Sequence, residues 1–425
     1  MTRHVAVLGA GTGGTVVANR LRRAHPQDEL AITVVDQDDR HLYQPGLLFV
    51  PFGLAHPEDL VRPRRRQLRH GIEFREQPVD HVDIEARRVV LGDGSVLAYD
   101  ALVVASGAVL VPEETEGLTG AGWMERVFTF YSLEGARALA GALAAFGGGR
   151  LVVNVVDMPI KCPVAPLEFC FLADWYFREH GIRDQVELVL ATPLDGAFTK
   201  PVASARLGGM LGDKGITVVT EFNTGEVDGE HGRLIGYDGR EIGFDLAVVV
   251  PLHGGAPYVG RSPGLGDELN FVPADEHTLQ AKAAPEVFVI GDAANIPTSK
   301  AGSVTHFEGE TVAANVAAFL EGKPLSPGFD GHANCFIETG FGKALLIDFN
   351  YDTEPLPGHY PTAFGLPLLK ESRLNHLGKL MFESLYWHSL LPGHDIPGFG
   401  AEMPRAGKHL SHLSHLSHLS QGGQP

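Results

Sequence analysis

Sulfur marks the part of this chain where chemistry is most clearly written. Near residue 150 an apolar run of strand length, Arg150-Leu-Val-Val-Asn-Val-Val156, opens a strand-turn-helix unit. A dinucleotide bound at such a unit requires Gly-x-Gly-x-x-Gly, because glycines let the backbone approach a pyrophosphate and let the helix N-terminus accept its charge. Here the turn reads Asp157-Met-Pro-Ile-Lys-Cys-Pro163, with Pro166 close behind. Prolines cannot do that work, and a thiol stands in the gap. Cys162 follows Lys161 and precedes a helix starting near Val164, so a helix N-terminus and a neighbouring cation are expected to depress its pKa. Cys170, in an apolar helical run over 167–172, reads as a small buried hydrophobe. Cys335 lies in a strand-like run over 334–338, and spacing alone leaves open whether it meets Cys162.

A first nucleotide site is complete. His4-Val-Ala-Val-Leu8 has strand length, Gly9-Ala-Gly11-Thr-Gly-Gly14 follows at once, and 15–23 reads as a helix. A second strand over 31–35 ends at Asp36, about where a carboxylate holds a ribose 2′-hydroxyl. The nucleotide is decided further along. Val287-Phe-Val-Ile290 runs into Gly291-Asp292-Ala293-Ala294, the pair that in two-domain flavoproteins sets a carboxylate on the ribityl chain of FAD. Between them, the strand over 101–105 ends in Ser106-Gly107, like the turn at which such folds cross to their second half. Lys300-Ala-Gly302-Ser303 opens a helix through Asn315 whose N-terminus can stabilise a reduced, anionic flavin. FAD is therefore the expected cofactor, and NAD(P)H is not.

Composition is consistent with two or three domains. The chain has 425 residues, 44% hydrophobic and 20% charged, with net charge -18, which argues against a nucleic-acid partner. Three cysteines exclude a disulfide scaffold. The first strand starts almost at Met1 and no apolar stretch reaches the ~20 residues of a spanning helix, so a soluble or monotopic protein is expected. No metal site is expected.

The C-terminal part differs. Residues 359–425 carry five Lys/Arg and four Asp/Glu, about +1 in a very acidic chain. Leu374, Leu377, Leu380, Met381, Phe382, Leu385, Tyr386, Trp387, Leu390 and Leu391 recur at spacings of three and four, which predicts an amphipathic helix. It either caps the core or enters a membrane surface by its apolar and aromatic side, with Tyr386 and Trp387 beside Lys379 at headgroup level. The repeated His-Leu-Ser from His409 is low-complexity, is expected to be disordered, and has no catalytic role.

The chain resembles the sulfide:quinone oxidoreductases, within the wider group of two-dinucleotide-binding flavoproteins. The resemblance covers nearly the whole chain and rests on Gly9-x-Gly11-x-x-Gly14, Lys161-Cys162-Pro163 leading to Glu168, Thr199-Lys200-Pro201, Gly291-Asp292-Ala293, Lys300 and Cys335, and on the closing stretch from Gly378 to Gly393. It implies that hydrosulfide attacks a bridge between Cys162 and Cys335, that Cys335 adds to flavin C4a, and that sulfur grows on Cys162 and leaves as polysulfide or elemental sulfur. Glu168 takes the acid/base position, and electrons pass to a quinone in an apolar slot. Phe336, Phe341, Phe382, Tyr386 and Trp387 are candidates for that slot, with Phe341 and Tyr386 preferred. The third cysteine of many members has no counterpart over 127–132, which predicts non-covalent FAD.

The expected fold is α/β: two Rossmann-like three-layer domains plus a C-terminal amphipathic membrane-association region. The boundaries expected are 1–115 with 275–325 for a discontinuous FAD domain, 116–274 for a second domain without the NAD loop, and 326–425 for the rest. Gly9, Gly11, Gly14, Asp36, Gly107, Gly291, Asp292, Lys300 and Gly302 are the expected FAD contacts. A peripheral membrane protein and a homo-oligomer are expected. Three other functions fit parts of the sequence. A flavocytochrome-type sulfide dehydrogenase subunit shares the cysteines, but it is expected to show an export signal and Cys-x-x-Cys-His, and neither is read in this sequence. A type II NADH:quinone reductase needs the missing glycine loop. A non-catalytic flavoprotein sulfur carrier would keep its function when Cys335 is replaced.

Overall fold

The computed structural model describes residues 2–396 and 400–409; the His-Leu-Ser repeat beyond His409 lies outside the described residues. In chain order the first half supplies β1 (Arg3–Leu8), α1 (Thr12–Ala24), β2 (Leu30–Asp36), β3 (Glu73–Glu76) and β4 (Ala101–Val104). Next come β5 (Val127–Phe128), β6 (Gly149–Val155), α2 (Ala165–Glu179), β7 (Val186–Ala191), β8 (Ile216–Val219) and β9 (Leu246–Val250). The chain then returns through β10 (Val287–Val289) and α3 (Gly302–Leu320), and closes with β11 (Ala333–Gly340), β12 (Lys343–Phe349) and α4 (Arg373–Leu385).

Two five-stranded parallel sheets result, in the orders β10-β4-β1-β2-β3 and β5-β9-β6-β7-β8. Their central strands read as unbroken apolar runs because each is covered on both faces. Val5, Val7, Val103 and Phe288 are fully buried in one sheet, as are Leu151, Val153 and Val248 in the other. This is the α/β, twice-Rossmann architecture expected from the sequence. The chain crosses to the second sheet after β4 and returns before β10, and a short antiparallel pair (Ala108–Leu110 with His253–Gly255) ties the two crossings together.

The closing region is built differently. β11 and β12 form an antiparallel hairpin that packs on α2, and α4 packs on both strands. Ser372 starts α4 by accepting the Asn375 N–H on its hydroxyl at 3.0 Å. Among the described residues no helix is long and apolar enough to cross a membrane.

The helix expected at 374–391 is present, and its apolar residues divide: Tyr386, Trp387, Leu390 and Leu391 are buried, as a core cap requires. Two polar residues also point inward: Asn375 is fully buried, and Lys379 nearly so. Leu374, Leu377, Leu380 and Met381 point outward. The aromatic residues do not sit at headgroup level. Tyr386 and Trp387 are buried in a π-helical turn (Tyr386–Leu390), where Trp387 meets the Arg62 guanidinium 4.2 Å from its ring.

Candidate functional site

One cavity of about 570 Å³ runs between the two sheets and under the closing hairpin. At one end lies the glycine loop joining β1 to α1. Gly9 has φ +105, and a Cβ there would meet the Ala105 carbonyl at 2.4 Å; a Cβ at Gly14 would meet the Gly9 carbonyl at 1.8 Å. These two glycines are demanded by the chain's own packing. Gly11 is demanded by something else, because a Cβ there meets nothing within 4 Å. It faces open cavity where a pyrophosphate would lie, as do Gly107 and Gly302.

Asp36 ends β2 on the cavity wall. Its carboxylate accepts the Ala10 N–H at 2.7 Å and the Gln37 N–H at 2.8 Å, and pairs with Arg64 at 3.1 Å. At the far side Gly291 and Asp292 line the cavity beside Gly302 and Ser303 in the first turn of α3. No side chain caps that helix, so its first N–H groups are free for an acceptor. Lys300 donates to the carbonyls of Asp292 and Ala294, both at 2.8 Å, which fixes the turn. Glu308 accepts the Gly291 N–H at 2.6 Å, and burial raises its pKa to about 7. Open glycine cradle, ribose-side carboxylate and uncapped helix end together fit FAD.

The sulfur residues meet in the same cavity. Cys162 comes from the loop between β6 and α2 with φ +46, a left-handed conformation uncommon outside glycine. Its N–H donates to the Lys300 carbonyl at 2.6 Å, and its carbonyl accepts the Ala165 N–H at 2.9 Å and the Tyr131 hydroxyl at 3.2 Å. Cys335 reaches the cavity from β11. Both are free thiols. Cys170 is buried within α2, as a core residue.

The thiol chemistry differs from that read off the sequence. The Ala165 N–H at the start of α2 does lower the Cys162 thiol, as the sequence suggests, but it is outweighed. Burial, with the charges of Glu168 and Cys335 nearby, pushes its pKa well up. Cys335 is pushed up to about 12, by burial first and Glu168 next. The cation facing both thiols is Lys379 of α4, which opposes these shifts. Lys161 is itself driven toward the neutral form by burial and faces Asp292.

Glu168, in the first turn of α2, is buried and not a surface carboxylate. One of its oxygens accepts both the Glu338 N–H, at 2.7 Å, and the Lys379 ammonium. Lys379 also donates to the Phe336 carbonyl at 3.2 Å. Burial raises the Glu168 carboxyl, and Lys379 opposes it.

The two preferred quinone residues part company. Phe341 stands at the tip of the β11–β12 hairpin, 43% exposed and outside the cavity, with Lys214 5.0 Å from its ring. Tyr386 does line the cavity, but its hydroxyl is taken by Thr12 and His41, each at 2.7 Å. Burial lowers His41 to about 4, so its ring is neutral and ties the closing region to the glycine loop. The apolar mouth is lined instead by Leu48, Phe49, Phe336, Phe382 and Leu385 around Lys379.

Lys379, Glu338, His376, Thr12 and His41 were missed by sequence reasoning. For the first and third a signal existed, since His376 and Lys379 lie three apart and share a helix face.

Comparison with known proteins agrees with this geometry. The pyridine nucleotide-disulphide oxidoreductase family matches residues 3–308. The mitochondrial sulfide:quinone oxidoreductase of Mus musculus is 26% identical over 398 residues, covering 92% of this chain and 87% of its own length. That of Schizosaccharomyces pombe is 27% identical, with 91% and 90% covered. The crystal structure of the sulfide:quinone oxidoreductase from Aquifex aeolicus superposes with a TM-score of 0.79 at 20% identity over 94% of each chain. The chain thus belongs to the pyridine nucleotide-disulphide oxidoreductase family, and within it stands with the sulfide:quinone oxidoreductases as a flavin-dependent enzyme.

Proposed function

We propose that this protein oxidises hydrosulfide and passes the electrons to a membrane quinone, using Cys162 and Cys335 as its sulfur-handling pair and non-covalently bound FAD. The observation that carries the reading is the convergence of two cysteines, from elements 173 residues apart in sequence, on the flavin-sized cavity of a domain without an NAD loop. Hydrosulfide attacks a sulfur bridge between the two, a bond to Cys162 forms, and the bond to Cys335 breaks. Cys162 is left as a persulfide, and Cys335 departs as a thiolate with the electron pair. Burial disfavours that thiolate, and Lys379 supplies the compensating charge. Glu168 holds Lys379 in place and manages the proton of the incoming sulfide. FAD held at Gly11, Gly107 and the start of α3 would supply the two-electron carrier between sulfur and quinone. The quinone enters between Phe49, Phe336 and Phe382, and sulfur leaves as polysulfide or elemental sulfur.

The outward face of α4 supports peripheral attachment. Leu374, Leu377, Leu380 and Met381 are each more than half exposed, as Phe364 is entirely. Singly such residues are ordinary, but a stripe at helical spacing over an inward polar face fits an interfacial helix.

The test is anaerobic. Sulfide is added to the yellow protein, flavin absorbance is followed, and a soluble ubiquinone analogue is then supplied. Bleaching by sulfide with colour restored by quinone is the expected result. Bleaching by NADH alone would refute the assignment.

A further inference from the structure

The proposed reaction has an uneven proton balance. Hydrosulfide oxidised to sulfane sulfur releases two electrons and one proton, whereas a quinone reduced to quinol takes two electrons and two protons. One proton must enter from solvent in every turnover, and the groups lining the destination are buried. We propose that it enters through His376 and Glu338 to Lys379, a relay that rests on the function proposed above.

The groups stand in file. His376 lies on the flank of α4, between the inward Lys379 and the outward leucines, with its side chain 26% exposed. Its Nδ1 lies 2.6 Å from Glu338 Oε1, and the Glu338 side chain is buried on β11. The other Glu338 oxygen is buried with no hydrogen-bond partner among the described residues, and the carboxyl faces the Lys379 ammonium. Lys379 stands on the cavity wall among the aromatic residues of the apolar mouth. His376 and Glu338 are in hydrogen-bond contact, Glu338 and Lys379 face each other by charge alone, and the file of groups leads from water to the proposed site of quinone protonation.

Charge completes the argument. Glu168 and Glu338 are two buried carboxyls facing one ammonium, so full ionisation would leave a net negative charge in a low-dielectric interior. One additional proton relieves it, and Glu338, next to His376, is where that proton arrives. The groups facing the relay are Glu168 from α2, Cys162 from the proline loop and Glu338 itself from β11. Lys379 gives a proton to the quinone oxygen, Glu338 returns one to Lys379, His376 reprotonates Glu338, and solvent reprotonates His376. No oxidant or reductant beyond sulfide and quinone is needed. His376 touches no substrate in this scheme; it is a proton conduit.

The experiment uses the FAD-loaded full chain and its His376→Ala and Glu338→Gln variants in anaerobic stopped flow. Three rates are read: bleaching by sulfide, recolouring by decylubiquinone, and recolouring by ferricyanide, which accepts electrons without protons. For His376→Ala we expect the sulfide and ferricyanide rates within about twofold of the parent, and quinone recolouring slower by roughly 10- to 100-fold, at or below the usual range for a positioned proton donor. Added imidazole should restore it. Glu338→Gln keeps the shape but carries no proton, and should show the same selective loss without rescue. Parental quinone rates in His376→Ala, equal slowing with both acceptors, or no response to imidazole would each overturn the relay. A parent that sulfide does not bleach would overturn the function itself, so the two failures are told apart by which protein fails.

Discussion

Two units of this molecule share a topology and oppose each other in chemistry. β1-loop-α1 and β6-loop-α2 each take a central parallel strand into a helix across one end of a five-stranded sheet. In the first, residues 9–11 make the turn, and glycines permit contacts of backbone on backbone that no side chain could survive. In the second, residues 156–164 make it, with Pro159, Pro163 and a cysteine at positive φ. The sheet fixes where the turn lies, and the residue types of the turn decide what is offered there, an open glycine cradle in the first unit and a thiol in the second.

The largest effect should come from taking sulfur out of the second unit's cavity. Cys335→Ser is expected to cut sulfide-driven bleaching by on the order of 10³-fold or more, with FAD absorbance intact. A carrier protein would keep its function, which would break the comparison. In the first unit the same logic runs through the cofactor. Gly11→Val enters space the fold leaves open, so the protein should fold and lose FAD affinity by on the order of 10²-fold, about 2.7 kcal/mol, measured by titration of the apoprotein.

A third change separates packing from charge at the sulfur end. Lys379→Met keeps the volume and strands Glu168 without its ammonium; stability should fall by about 3–5 kcal/mol in denaturant unfolding, as for other broken buried pairs. Leu377→Glu with Met381→Glu should shift the protein from sedimenting with phospholipid vesicles to the supernatant, with little change in its melting temperature.

The smallest effect is a pH dependence confined to the flavin half. Glu308 is raised by burial from the ordinary 4.5 to about 7. The fold therefore favours its neutral form. That contribution is complete below the ordinary value and is lost as pH rises through about 7. The melting temperature of the parent should decline from about pH 5 to pH 8, and Glu308→Gln should flatten the decline.

How much of this was legible depends on whether the signal is local. The glycine loop, Asp36 and the Gly291-Asp292 turn are set by neighbours in sequence, so they read directly. The proline loop was equally plain, because its residue types exclude a nucleotide on conformational grounds. Lys379 was illegible in its true role, since its partners Glu168 and Glu338 come from α2 and β11, 211 and 41 positions earlier. Its neighbours Tyr386 and Trp387 suggested a headgroup setting, and periodicity does not reveal which face of a helix is turned inward. Phe341 failed for a related reason: one residue past the end of a strand, the chain turned its ring out of the interior. The net Cys162 shift was not legible because the helix N-terminus does lower the thiol but burial, a property of the whole fold, outweighs it.

Helix α4 joins two unlike faces on one rigid rod. Seen end-on, it is a two-sided key: one edge carries the ammonium that faces both thiols, the other the exposed leucines proposed to rest on lipid. A surface engineered for solubility along Leu374, Leu377 and Met381 would act on the same bar that positions Lys379. Its success as a formulation would thus be bought in catalysis.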